Sequence, residues 1–244
     1  MMARSTARYS AEDTKFLRDY DPSHYAHPSL AVDVVVATVL DGELHVVVVQ
    51  RREAPQRGAW ALPGGFVRLD EGLDEAAARV LEEKAGLHRV YVEQLYTFGE
   101  VARDPRTRVV TVTYLALVRA EDLNELDGTL ARIEVPWEGE RGGAIWAVVD
   151  DHEVTLAFDH AEIIGLAVKR LRGKLNYAPV GYELVDPRFT LRDLQAVHEA
   201  ILGRHLNKDS FRRKIIDRGE AIPTGEMESG VSWRPAELYV FSGN

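Results

Sequence analysis

The chain has 244 residues, 45% of them hydrophobic and 28% charged, with a formal net charge of −9. That is an ordinary soluble composition, long enough for one large domain or two modest ones. It holds no cysteine, which excludes disulfides and thiolate zinc sites and fits a reducing, cytoplasmic setting, and residues 1–30 contain no apolar run long enough for a signal peptide or a membrane span.

Residues 31–39 and 44–50 are β-branched runs separated by Asp41-Gly42, the pattern of a β-hairpin. Trp60 to Val67 is a Pro-Gly-Gly loop. Leu73 to Ala85 turns helical in composition and stops at Gly86. Strands are expected at Val90–Tyr96, Val109–Val118 and Ala144–Val149, with residues 121–143 acidic and loop-like. Asp159 is placed to cap a long helix reaching about Leu175, with Ile163, Leu166, Val168 and Leu171 on its apolar stripe. The segment 176–187, with two prolines and a glycine, reads as a domain junction.

Beyond it, Leu191 to Leu202 carries apolar residues at 191, 194, 197 and 201 and ends at Gly203. Asn207 can cap a second helix, Lys208 to Arg218, ended by Gly219. Residues 221–241 read as a hairpin carrying Trp233 and Arg234, which makes the whole a winged helix-turn-helix. Charge is uneven along the chain. Residues 1–186 carry 21 Lys and Arg against 31 Asp and Glu, or −10, whereas Gly203–Arg218 carries 6 against 2, or +4. Such a local basic patch is either a nucleic-acid surface or a solvated helix face. On the second helix Phe211 and Ile215 mark the buried stripe. Arg213, Ser210 and Asp209 would then face base edges, and Arg212, Lys214 and Lys208 phosphates, with Arg234 added from the wing.

The stretch Gly65 to Leu87, GFVRLDEGLDEAAARVLEEKAGL, closely resembles the Nudix box, with Gly65, Glu71, Arg79, Leu81, Glu83, Gly86 and Leu87 in register. In active members three glutamates at helix positions i, i+3 and i+4 share one face and bind Mg²⁺ against a diphosphate. Here those positions hold Val80, Glu83 and Lys84. Glu82 cannot substitute, lying about 200° around the helix from Val80. No metal site, no cofactor and no catalytic residue are therefore assigned. Lys84 either sets its ammonium where a metal charge would sit or is a solvated lysine. Arg51, Arg52, Gly64, Gly65 and Arg79 would still offer donors to a diphosphate, beside Glu71 and Glu83. Trp60 is either a stacking or a core aromatic. The guanidinium-rich segment 103–108 either covers the ligand or lies at a protein surface.

A Nudix-like domain without its metal carboxylates, followed by a basic winged helix, resembles the NrtR family of Nudix-related regulators of NAD metabolism. The strings FDHAEII (158–164), YAPVGYEL (177–184) and residues 189–215 carry the same likeness. The resemblance implies an α+β architecture. It comprises an N-terminal arm (1–27), a Nudix-type mixed β-sheet/helix sandwich (28–176) and a small winged helix-turn-helix domain (177–244). It also implies a homodimer, a palindromic operator, and ADP-ribose or a related NAD metabolite as effector. The competing expectation is a working Nudix pyrophosphatase.

Overall fold

The computed structural model describes residues 9–88, 90–123, 126–232 and 234–243; residues 1–8 of the expected arm and Trp233 of the expected wing lie outside them. The arm carries α1 (Ala11–Asp19), which is reciprocally capped by Ser10 and Asp13 and buries none of its residues. β1 (Ser29–Leu40) and β2 (Glu43–Gln50) form the expected hairpin. Its turn residues Asp41 and Gly42 have φ of 52° and 77°, the pair of positive φ angles that matches a two-residue turn to the strand twist.

The Pro-Gly-Gly segment is more than a loop. β3 (Trp60–Ala61) pairs with β2 and β4 (Gly64–Phe66) with β1. α2 (Leu73–Ala85) stops at Gly86, whose φ is 68°. β5 (Tyr91–Phe98) and β6 (Val109–Leu117) follow. β7 (Thr129–Glu134) corrects the expectation that residues 121–143 are all loop. Its sequence, TLARIE, has weak strand propensity, and its hydrogen bonds come from β2 on one side and from β8 (Trp146–Val149) on the other. Strand formation there is a tertiary effect. β9 (His152–Val154) completes the order β5-β6-β1-β2-β7-β8-β9, in which β1 and β6 run parallel.

Residues 31–38 of β1 are all buried. Val32, Val34 and Val36 pack with Ala76, Ala77 and Val80 of α2. Val35 and Ala37, on the other face, pack with Ile163, Val168 and Leu171 of α3 (His160–Lys174). Side chains alternate across a strand, so a run that is apolar on both faces marks a strand covered twice. Asp159 sits at the N-cap position of α3, as expected, but its side chain makes no cap hydrogen bond. Arg103 takes that carboxylate instead, with two bonds of 2.6 and 2.7 Å.

The helix pair is α4 (Leu191–Leu202) and α5 (Lys208–Arg218). Asn207 accepts from the Ser210 amide at 3.0 Å, the expected cap. Phe211 and Ile215 are the buried residues of α5. β10 (Ala221–Met227) and β11 (Glu237–Phe241) form an antiparallel wing. The apolar core runs on across residues 176–187: one buried cluster contains Val35, Leu115, Ile163 and Leu171 together with Leu194, Ile201, Phe211 and Ile215. Arg172, 0% exposed, crosses the same boundary. Its Nε donates to the Ile201 carbonyl at 2.7 Å, its Nη1 donates to the Trp137 carbonyl at 2.6 Å, and the guanidinium lies 4.2 Å above the Trp137 ring. No helix among the described residues is long and apolar enough to cross a membrane.

Candidate functional site

A cavity of about 190 Å³ opens where β1, the β3–β4 turn, the 103–109 connection and the start of α3 converge. Asp33, on the face of β1 that points toward α3, forms its floor and is 8% exposed. Arg103 lies 3.6 Å from Asp33 and is held by Asp159. His160 accepts a hydrogen bond at Nδ1 from the Leu62 amide at 2.9 Å, so the proton of the neutral ring sits on Nε2, 3.8 Å from Asp33. Burial lowers the His160 pKa and keeps the ring neutral. Gly64 is required by this floor: a Cβ there would stand 2.1 Å from Asp33 Oδ1.

The mouth is aromatic and cationic. Arg51 lies 4.7 Å over the Phe158 ring, and Arg106 5.5 Å over Phe66. Phe158 has φ of 52°, a strained conformation for a bulky residue and one concentrated at ligand sites. Its amide is held by Gln56 at 2.9 Å. Arg106 is anchored by two bonds to Asp104, which keep the Asp104 pKa below the usual carboxylate range. The cavity thus offers guanidinium groups beside aromatic faces, suited to an anionic ligand with a flat ring.

Of the ligand residues read from sequence, Arg51, Gly64 and Gly65 line this cavity. Glu71, Arg79 and Glu83 form an adjoining ion-pair cluster. Arg79 donates to Glu71 at 2.6 and 2.8 Å, to Glu83 at 3.2 Å and to the Phe66 carbonyl at 3.1 Å. Arg68 takes the other Glu83 oxygen at 3.1 Å. The hydrogen bond from Arg79, then that from the Arg68 amide, brings the Glu71 pKa to about 2. Val80 is 1% exposed and packed in the core beneath Gly65. Lys84 and Arg52 are exposed, and Trp60 is half-buried against the core. At the three box positions the donor set is one aliphatic side chain, one carboxylate already shared by two arginines, and one ammonium. That set does not fit a hard divalent cation. Asp33, Phe158 and His160 were missed from sequence, although Asp33 is the lone charge inside the β1 apolar run.

On the winged helix, Lys208, Arg212 and Arg234 line one groove together with Arg192 of α4. Asp209 and Arg213 are exposed on the outward face of α5. Ser210, expected beside them, lines a cleft facing the sheet domain, as does Lys214. The wing is tied down by ion pairs from Arg188 to Glu226 and from Arg192 to Glu228.

Residues 29–162 match the NUDIX domain, and residues 181–241 match the NrtR DNA-binding winged helix domain. The chain is 36% identical over 237 residues to the ADPR responsive transcriptional repressor NtrR of Acinetobacter baylyi, covering 96% of this chain and 90% of that one. The crystal structure of Shewanella oneidensis NrtR complexed with a 27mer DNA superposes with a TM-score of 0.72 at 36% identity, covering 87% of this chain and 93% of that one. The NUDIX domain of the same protein complexed with ADP ribose superposes with a TM-score of 0.52 at 33% identity, covering 65% of this chain and 98% of that one.

Proposed function

The chain belongs to the NrtR family, and from that membership we propose that it is an ADP-ribose-responsive transcriptional repressor of genes for NAD biosynthesis or salvage. It acts in the cytoplasm as a homodimer on a palindromic operator. The observation that carries this reading is one chain holding both an arginine- and aromatic-lined cavity and a winged helix whose second helix leaves Asp209 and Arg213 free to face a groove.

ADP-ribose is larger than a cavity of about 190 Å³, so one end enters and the rest lies across the mouth. Arg51 and Arg106 meet the diphosphate there, as charge-assisted donors. Gly64 leaves room for the Asp33 floor, and Gly65 lines the cavity with a Cβ position that faces Val80 of α2. The Glu71–Arg79–Glu83 cluster braces the β4 turn behind the site. Arg52, Trp60 and Lys84 remain candidate contacts for whatever part of the ligand extends outward. Hydrolysis is not the output. With Val80 in the core and Glu83 occupied by arginines, metal activation of a nucleophile and charge stabilisation are both lost. ADP-ribose turnover is expected at least about a thousandfold below an active pyrophosphatase.

On DNA, α5 enters the major groove. Arg213 and Asp209 read base edges, Lys208, Arg212 and Arg234 hold phosphates, and Ser210 and Lys214 approach the strand nearest the sheet domain. The test is a binding assay on fragments from upstream of the protein's own gene, with and without ADP-ribose. Specific binding that ADP-ribose relieves is expected. Absence of specific DNA binding would end the repressor reading, and indifference to ADP-ribose would end the sensor reading.

A further inference from the structure

A second cavity, of about 290 Å³, lies between the sheet domain and the winged helix. Arg172 reaches it from α3, His198 from α4, Arg204 from the α4–α5 connection and Lys214 from α5. Leu175, Leu202 and Phe211 supply its apolar wall. The site is separate from the Nudix cavity, with no lining residue in common.

Two buried groups in it are unspent. Arg172 is fully buried, and its Nη2, set against Gly203, has no hydrogen-bond partner among the described residues, so its charge acts on the cavity from beneath the surface. No ion pair joins it to a carboxylate among those residues, and Glu138 acts on it only at longer range. A buried guanidinium normally finds an anion, because burying a charge unpaired is costly. His198 is 9% exposed and meets the edge of Phe211 at 5.0 Å. Its ring nitrogens make no hydrogen bond among the described residues. Burial, then Lys214 and Arg218, hold its pKa at about 4, so it is neutral near pH 7. The charged lining is therefore Arg172, Arg204 and Lys214 against Glu140, and the Glu140 carboxylate already accepts from Asn176 at 3.0 Å.

We propose that this inter-domain cavity binds a small phosphate monoester with a short apolar body, the oxyanion facing Arg204 and Lys214 over the buried charge of Arg172 and the body resting on Leu175, Leu202 and Phe211. Three cations against one anion leave +2, which a phosphate monoester dianion matches near neutral pH. The volume suffices, since a cavity of about 150 Å³ already accepts benzene. A ligand there touches α3, α4 and α5 at once and stiffens the join between the two domains. The proposal does not rest on ADP-ribose being the ligand of the Nudix cavity.

The test uses n-butyl phosphate as the probe, which has an apolar body but no flat ring for the Nudix cavity, titrated calorimetrically into the full chain without DNA. Arg172 itself is a poor first variant because it also holds the fold, so Arg204→Gln with Lys214→Gln is used. Saturable binding at one probe per chain is expected in the wild type and in Arg51→Ala. It should weaken about tenfold or more in the double variant, a change of about 1.4 kcal/mol. n-Butanol, which lacks the charge, should not bind. Two results would overturn the proposal: no saturable binding up to concentrations on the order of 10 mM; or binding lost in Arg51→Ala yet kept in the double variant, which would put the probe in the Nudix cavity.

Discussion

Replacing Arg172 with methionine removes a side chain that holds two elements together. Its Nε and Nη1 satisfy the carbonyls of Ile201, in the last turn of α4, and of Trp137. Carbonyls at a helix end have no partner within the helix, so the change leaves two shielded acceptors unpaired at about 1–3 kcal/mol each. The stacking on Trp137 at 4.2 Å adds about 2 kcal/mol for a desolvated pair. Against this, methionine fills most of the volume and removes the cost of burying a charge, a cost visible in the Arg172 pKa, which burial lowers to about 10. The net loss should be about 3–4 kcal/mol, in the range found when one member of a buried polar pair is removed. For a chain of this size that corresponds to a fall of roughly 6–16 °C in melting temperature. Arg172→Lys should fall between, because one ammonium cannot span both carbonyls and keep the stacking. The assay is urea unfolding followed by far-ultraviolet circular dichroism, comparing midpoints at constant slope. A loss below about 1 kcal/mol for the methionine variant would mean that desolvation cancels the bonds. Arg172 would then not be what fixes α4 to α3.

Three further outcomes are expected. His198 has a folded pKa of about 4 against an ordinary 6.5, so between those values the unfolded chain binds the proton and the folded chain does not. Its contribution is therefore intact above pH 6.5 and lost as pH falls toward 4, by about 3 kcal/mol; the difference in unfolding free energy between wild type and His198→Gln across that window measures it, and a flat difference would contradict it. Gly64→Ala puts a methyl group 2.1 Å from Asp33 Oδ1, whereas in Gly65→Ala the nearest atom is 3.5 Å away; the first should cost about 1–3 kcal/mol and weaken ADP-ribose binding, the second should do neither, and equal calorimetric results would refute the assigned role of Asp33. Arg213→Ala should cost about 1–3 kcal/mol in operator binding and relax sequence preference, while Lys208→Ala and Arg234→Ala should weaken all sequences alike; a competition assay with mutated half-sites separates the two.

The elements legible in the sequence were those whose cause is local. Asp41-Gly42 dictates its own turn, Gly203 ends α4, and Asn207 and Gly219 bracket α5 from the adjoining positions. α2 announces itself by alanine content and by Gly86. β7 was not legible because its pairing partners come from β2 and β8. The side chain of Asp159 could be assigned to a cap only while Arg103, 56 residues earlier, was out of view.

The candidate site divides the same way. The Nudix box is a contiguous motif, so Gly65, Glu71, Arg79 and Glu83 could be read directly. The cavity is assembled from residues near 31–33, 51, 61–66, 103–109 and 158–160, and no local pattern joins those segments. Asp33 looked like one residue of a strand, and its burial beside His160 and Arg103 is a property of the packed sheet. The replacement at position 80 carried a structural meaning that spacing could not give. Val80 belongs to the core under α2, so a glutamate restored there would have to leave that core before it could meet a metal.

The shared core bounds how an effector can act on DNA binding. Leu194 and Ile201 of α4 are 0% exposed against the sheet domain cluster, and Phe189 is 2% exposed. Uncovering each would cost about 1.5–3 kcal/mol, so a typical coupling of about 1–3 kcal/mol cannot swing the winged helix away from the sheet. What a ligand can do is move α3 as a rod. One end carries Asp159 and His160, bonded to Arg103 and Leu62 at the cavity, and the other carries Arg172, bonded to α4. A small displacement at the cavity is delivered along α3, a rod of about 1.5 Å per residue, to α4 and, in the proposed homodimer, to the spacing of the two α5 helices. Asp159→Asn tests this, because it removes the charge and one of the two bonds to Arg103 without altering a residue that lines the cavity. In the wild type, ADP-ribose should weaken operator binding roughly 5- to 150-fold, and operator should weaken ADP-ribose binding by the same factor. In Asp159→Asn, ADP-ribose should still bind, and both factors should shrink together. An unchanged coupling would remove α3 from the path. Loss of ADP-ribose binding itself would make the Arg103–Asp159 pair part of the pocket and not its link to the helix.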